Sequence, residues 1–132
     1  MRPGKPLIFG NFTGTPMLGL PGTPVSADVT ALLFMRPAIA RLSGCDDAPE
    51  THRARLGRSL TANDQRQDYL RAALSRDSSG NLVAAPFDQQ DSSMMKRLAN
   101  ADCLIIRPPH AEALEMGAEV NILSFGYGID AF

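Results

Sequence analysis

The residues best suited to chemistry lie in "GLPGTPVSADVTALLFMRP", Gly19 to Pro37. A dense turn runs straight into an apolar helical pattern. A loop leading from a strand end into a helix presents free backbone N–H groups at the positive end of the helix. Gly22 has no side chain to hold a ligand away from the backbone. Thr23 and Ser26 add hydroxyl donors, and Ser26 falls at the third helical position. Lys5, in "RPGKP", adds positive charge if its strand ends at the same rim. These types favour binding of a phosphate or another oxyanion at the carboxyl edge of a parallel sheet. The same residues also read as a plain connection, because Gly-Pro turns with a capping Thr often do no more than join elements.

The elements that must position this loop come from residues 1–44. "PLIFGNF" carries the compact apolar core of a buried strand, "TGT" is a turn, and "PMLGL" is a second short strand. Thr23 suits an N-cap whose hydroxyl accepts from a first-turn N–H, and Pro24 suits N1. Asp28 adds negative charge near the positive end of the helix. Val25, Val29, Leu32 and Leu33 share one face. Pro37 predicts a kink or break, and Gly44 a stop. Two short strands and one helix cannot cover both faces of an α/β layer, so apolar surface is expected to stay open. This piece reads as the end of a larger α/β domain, or as one that leans on a partner chain.

After the linker-like "CDDAPE" the pattern changes to period two. "RARLGRSL" and "DYLRAALSR" alternate as strands, "DSSGN" is a hairpin turn into "LVAAP", "CLIIRP" is a buried strand, and "AEVNILSF" is the last strand. Gly57 marks a possible bulge. "SMMKRLANA" reads as a short helix and "GYGIDAF" as a tail. Arg53, Arg55, Arg58, Arg66, Arg71 and Arg76 face only Asp64 and Asp68 between Thr51 and Arg76. That run is either a solvated strand face or a basic rim at a partner or ligand site.

Composition narrows the classes. With 132 residues there is room for one domain or two small pieces. A formal net charge of −1 gives no bulk reason to expect nucleic acid. No apolar run approaches the roughly 20 residues of a membrane span, and the first residues lack a signal-peptide core. A cytoplasmic location is therefore expected. Cys45, Cys103, His52 and His110 have no metal-site spacing.

"RPGKPLIFG" followed by "GLPGTPVSADVTALLFMRPAIARLSG" resembles the C-terminal region of the molybdopterin molybdotransferases, the MoeA and gephyrin E-domain family. "RQDYLRAAL", "QQDSSMMKRLANADCLI" and "MGAEVNIL" resemble later family segments in the same order, so the likeness runs over about residues 2–124. Thr23 stands where the family usually has Asn, and Asp91 and Ser93 replace two glycines of a Gln-Gly-Ser-Gly stretch.

The resemblance implies an α+β chain. Residues 1–44 would be the end of a MogA-like, molybdopterin-binding α/β domain. Residues 51–125 would be a small, mainly β domain of β-clip or barrel type, and residues 126–132 a tail. It implies insertion of molybdate into adenylated molybdopterin with release of AMP, using Mg²⁺, in a homodimer without nucleic-acid or membrane partners. Gly22, Thr23, Pro24 and Ser26, with Lys5, would bind the pterin or oxyanion. Arg66, Arg71, Gln90 and Ser92 would border a partner or cleft rim. This chain alone is expected to be inactive. A noncatalytic scaffold and a degenerate oxyanion-binding protein are the alternatives.

Overall fold

The computed structural model describes residues 7–46, 49–88 and 100–125. It is a mixed α+β fold. A hairpin of β1 (Ile8–Phe12) and β2 (Thr15–Gly19) leads into a helical run, and a closed five-stranded barrel follows. The barrel strands are β3 (Thr51–Leu56), β4 (Asp68–Arg76), β5 (Leu82–Pro86), β6 (Cys103–Arg107) and β7 (Glu119–Ser124). Their order around the barrel is β3-β5-β4-β6-β7, and β3 closes the ring on β7. The β3–β5 pair is parallel and the other pairs are antiparallel. The proposed helix at "SMMKRLANA" and the tail at 126–132 fall almost wholly outside the described residues.

Strand alternation builds the barrel core. Ala54 and Leu56, Ala72 and Leu74, Leu82 and Ala84, Cys103 and Ile105, and Val120 and Ile122 all turn inward. The alanines fit a narrow interior that leucines alone would overfill. The "DSSGN" turn forms as its types predict: Gly80 N–H bonds the Asp77 carbonyl at 3.0 Å, and Gly80 takes a φ of +81°. Gly57 does not mark a bulge. It donates to the Ala84 carbonyl at 2.8 Å, and a Cβ there would sit 3.1 Å from Ala85 Cα. Glycine is needed at that point because two backbones approach too closely for a side chain.

The helical run spans α1 (Pro24–Thr30), a π-helical turn (Ala31–Met35) and α2 (Arg36–Leu42). Pro37 does not break it. The strain is absorbed one turn earlier, where Arg36 N–H reaches the Ala31 carbonyl. The run ends in a Schellman arrangement. Gly44 at φ +71° donates to Arg41, and Cys45 N–H donates to Ala40. Val25 and Val29 pack on Leu104 and Leu123 of the barrel's outer face, with Leu32, Leu33, Tyr69 and Ile106 around them. Strand β6 is thus apolar on both faces, which explains its unbroken Cys-Leu-Ile-Ile run. No helix among the described residues is long and apolar enough to cross a membrane.

Strand β1 differs from the expected buried strand. Ile8, Phe9 and Phe12 are exposed, Phe9 by 78%. The size limit read from the sequence accounts for this: one hairpin and one helix leave their far faces bare. An apolar groove of about 390 Å³ lies between them, bordered by Phe9, Met17, Phe34, Met35, Ile39 and Leu42.

Two outcomes test this packing. Burial pushes the Cys103 thiol up to about 12, with the Asp102 charge adding to the effect, whereas Cys45 is exposed. A thiol reagent should therefore label Cys45 alone in the native chain and both cysteines in denaturant. Because the native state holds its Cys103 proton longer, stability should fall as pH rises from 9.0 toward about 12. Separately, the groove should enhance the fluorescence of an apolar dye, and the double change Phe9→Ser, Ile39→Ser should remove roughly half of that signal or more.

Candidate functional site

The sequence-derived site begins where β2 ends. Ile8 lies opposite Gly19 in an antiparallel pair, so the loop leaves an antiparallel hairpin and not the expected parallel edge. Buried Pro21 anchors the loop, while Gly22, Thr23 and Pro24 are exposed and Ser26 is half-buried. Thr23 is the N-cap residue, with φ −83° and ψ 132°, and Pro24 follows at the start of the helix. The Ala27 N–H closes the first helical bond on the Thr23 carbonyl at 2.9 Å.

The expected side-chain cap is absent: the Thr23 hydroxyl bonds no first-turn N–H. Asp28 also lies past the first turn, which holds no acidic residue. The leading N–H groups are therefore left without a carboxylate or hydroxyl from these two side chains. A Cβ built on Gly22 meets nothing within 4 Å, so the space over the loop is open. This loop can accept an anion through backbone N–H groups and the Ser26 hydroxyl. The structure brings Gly22, Thr23, Pro24 and Ser26 together. Lys5, Gln90 and Ser92 lie outside the described residues.

The two rim arginines part company. Arg66 is exposed on the loop before β4, its N–H bonded to Asp64 Oδ1 at 2.9 Å. Arg71 is not on a solvated face. It is 1% exposed, opposite Leu104 in the middle of β4. The alternation gave its side correctly, but the outer face of β4 is itself covered there. Arg71 therefore borders no open rim in this chain.

Sequence reasoning missed Arg107, which is 3% exposed. Its Nη2 donates to the carbonyls of Thr61 at 2.9 Å and Glu112 at 2.7 Å, with Ala111 at 3.5 Å. It ties two loops at the end of β6. Asn63 reinforces the same corner, with Nδ2 at 2.8 Å from the Pro108 carbonyl and 3.1 Å from that of Arg107. The available signal was position: Arg107 continues the inward phase of Cys103 and Ile105. Among the described residues no three His, Cys, Asp or Glu side chains converge as a metal-binding group. Those residues do not fit a Mg²⁺ cage by themselves.

A family model described as the MoeA C-terminal region (domain IV) matches residues 53–125. The chain belongs to this family. MoeA domain IV is thus the barrel, and the likeness extends beyond it. Molybdopterin molybdenumtransferase 2 of Mycobacterium tuberculosis is 32% identical over 123 residues, covering 92% of this chain and 30% of the relative. The molybdenum cofactor synthesis protein cinnamon of Drosophila melanogaster is 35% identical, covering 82% of this chain and 18% of its own length. The molybdopterin biosynthesis MoeA protein from Pyrococcus horikosii superposes with a TM-score of 0.77 at 29% identity, covering 96% of this chain and 30% of that one. The chain spans under a third of the length of these MoeA-type relatives.

The Arg107 corner predicts a contrast in stability. Arg107→Ala strands several carbonyls and should cost about 2–4 kcal/mol. Arg53→Ala, which removes an exposed pair with Glu119, should cost less than about 1 kcal/mol. Urea unfolding of both variants measures the difference.

Proposed function

We propose that this chain supplies the C-terminal part of a molybdopterin molybdenumtransferase, acting in molybdenum cofactor biosynthesis. One observation carries the reading: an open, uncapped loop at Gly22–Ser26 precedes a barrel that belongs to the MoeA C-terminal family. In the complete enzyme, molybdate is inserted into adenylated molybdopterin and AMP is released. The 132 residues alone do not turn over, because most of the pterin-binding domain is supplied by other residues.

The residues of this chain have binding and orienting roles. Backbone N–H groups after Thr23 and the Ser26 hydroxyl donate to oxygens of the pterin phosphate or of molybdate. Gly22 keeps the approach clear. Lys5 offsets negative charge. Arg66, Gln90 and Ser92 belong to a cleft bordered by a second subunit of a homodimer, in the cytoplasm. A divalent cation such as Mg²⁺ would lend charge neutralisation to phosphoryl chemistry. The described residues bring no three ligating side chains together, and no step of this chain is routed through the ion.

The apolar groove between hairpin and helix supports a seat for the remainder of an α/β domain. Its exposed Phe9, Ile39 and Leu42 are expensive to leave in water and stable once covered.

Two measurements test the reading. The isolated chain should give no molybdate insertion with adenylated molybdopterin; turnover would overturn its inactivity alone. In a full-length protein carrying this sequence, Ser26→Ala should weaken molybdate binding by roughly fivefold to tenfold, the worth of one hydrogen bond to an anion. Titration with molybdate, sulfate and AMP reads this out. Unchanged binding of all three would remove the loop from the site.

A further inference from the structure

The hairpin has one open edge and one blunted edge. Its turn has two residues, Thr13 at φ +48° and Gly14 at φ +87°. In such a hairpin the flanking pair, Phe12 with Thr15, is hydrogen-bonded, and bonded and non-bonded pairs then alternate. Gly10–Met17 and Ile8–Gly19 are therefore bonded pairs. Asn11–Pro16 and Phe9–Leu18 turn their backbone groups outward. Pro16 has no N–H, which suits a non-bonded position and blunts the outer edge of β2. The outer edge of β1 keeps donors and acceptors at both Phe9 and Asn11. Among the described residues no strand but β2 pairs with β1.

Charge points to what covers this edge. Exposed edge strands are ordinarily guarded by a charge or a proline. Leu7–Phe12 holds neither, and no charged residue stands anywhere between Lys5 and Asp28. An acidic or basic partner segment finds no opposite charge there, whereas an identical strand meets no repulsion. Short uncharged segments without proline are the ones that pair with their own copies. A two-fold axis sets the edge antiparallel to itself, so its donors meet its own acceptors.

The apolar surface is also large enough. Eight of the nine large exposed apolar side chains among the described residues lie on the hairpin and the helical run, from Ile8 to Leu42. At ~150–200 Å² for a large side chain, their exposed parts supply roughly 700–900 Å² per copy, against ~800 Å² per partner in a stable dimer.

We propose that two copies of the 132-residue chain dimerise by antiparallel pairing of β1 with β1, the two Phe9 residues opposite each other, to make a four-stranded sheet. Opposed aromatic rings stabilise such a pair, and four strands outlast an isolated two-stranded ribbon. The same surface would seat the remainder of an α/β domain, so the two occupants exclude each other, and the pairing belongs to a chain of these 132 residues alone. It uses no residue of the Gly22–Ser26 loop, so its failure leaves the oxyanion reading standing.

Sedimentation equilibrium of the 132-residue chain over a wide concentration range tests this. A dimer that dissociates on dilution is expected. Amide hydrogen exchange should slow at Phe9 and Asn11 as the dimer forms, and stay unchanged at Leu18. Phe9→Lys sets two ammonium groups opposite each other and should weaken the dimer about tenfold or more. Met116→Ser, away from this surface, should leave it unchanged. Phe9 is exposed, so its replacement spares the core, which circular dichroism checks. The proposal fails if the chain stays monomeric, if open-ended larger species form in place of a dimer, if Phe9→Lys dimerises like the parent chain, or if the slowed exchange falls on Leu18 instead.

Discussion

The contact of Val25 and Val29 with Leu104 and Leu123 is the joint on which this architecture depends. All four side chains are buried, each by more than nine-tenths. Each contributes on the order of 1.5–3 kcal/mol when taken from water. The joint fixes the first turn of the helix against the outside of β6 and β7. Without it the Gly22–Ser26 loop would have no set position relative to the barrel. It also makes β6 a strand with two cores, the barrel interior on one side and the helix on the other.

Much of the barrel was legible in the sequence. Period-two alternation located β3, β4 and β7, the Asp77–Asn81 turn located β5, and Pro108 ended β6. These signals are local, and local chemistry decides them. The helix start at Pro24 and its stop at Gly44 were readable for the same reason. Ring closure was not readable, because the pairing of Thr51 with Leu123 depends on residues far apart in the chain. The π-turn was half visible: Pro37 announced strain, but where a helix takes it up depends on packing. At the candidate site the N-cap position was right and its hydroxyl bond was not, since backbone type constrains φ and ψ more tightly than a rotamer.

The arginines show how far residue type alone can carry a reading. A run of cations in sequence looked like one face, yet the fold sorts it by depth. Arg71 is enclosed beside Leu104, Arg66 stands on an open loop, and Arg53, Arg55 and Arg76 border one surface cavity. Arg107, outside that run, serves as a structural clasp for loop carbonyls. Charge of one sign therefore performs distinct tasks, and only three-dimensional neighbours distinguish them.

The ring is closed by its own first and last strands. Thr51 lies across from Leu123, so the polypeptide enters and leaves the barrel side by side. Such a unit behaves as a cassette: it can be carried at the end of a host protein, or lodged within one, with little demand on the host's geometry. The same adjacency exposes it to damage from either side. Clipping a few residues from the entry or the exit strand removes half of the same seam, and the ring becomes an open sheet with two bare edges.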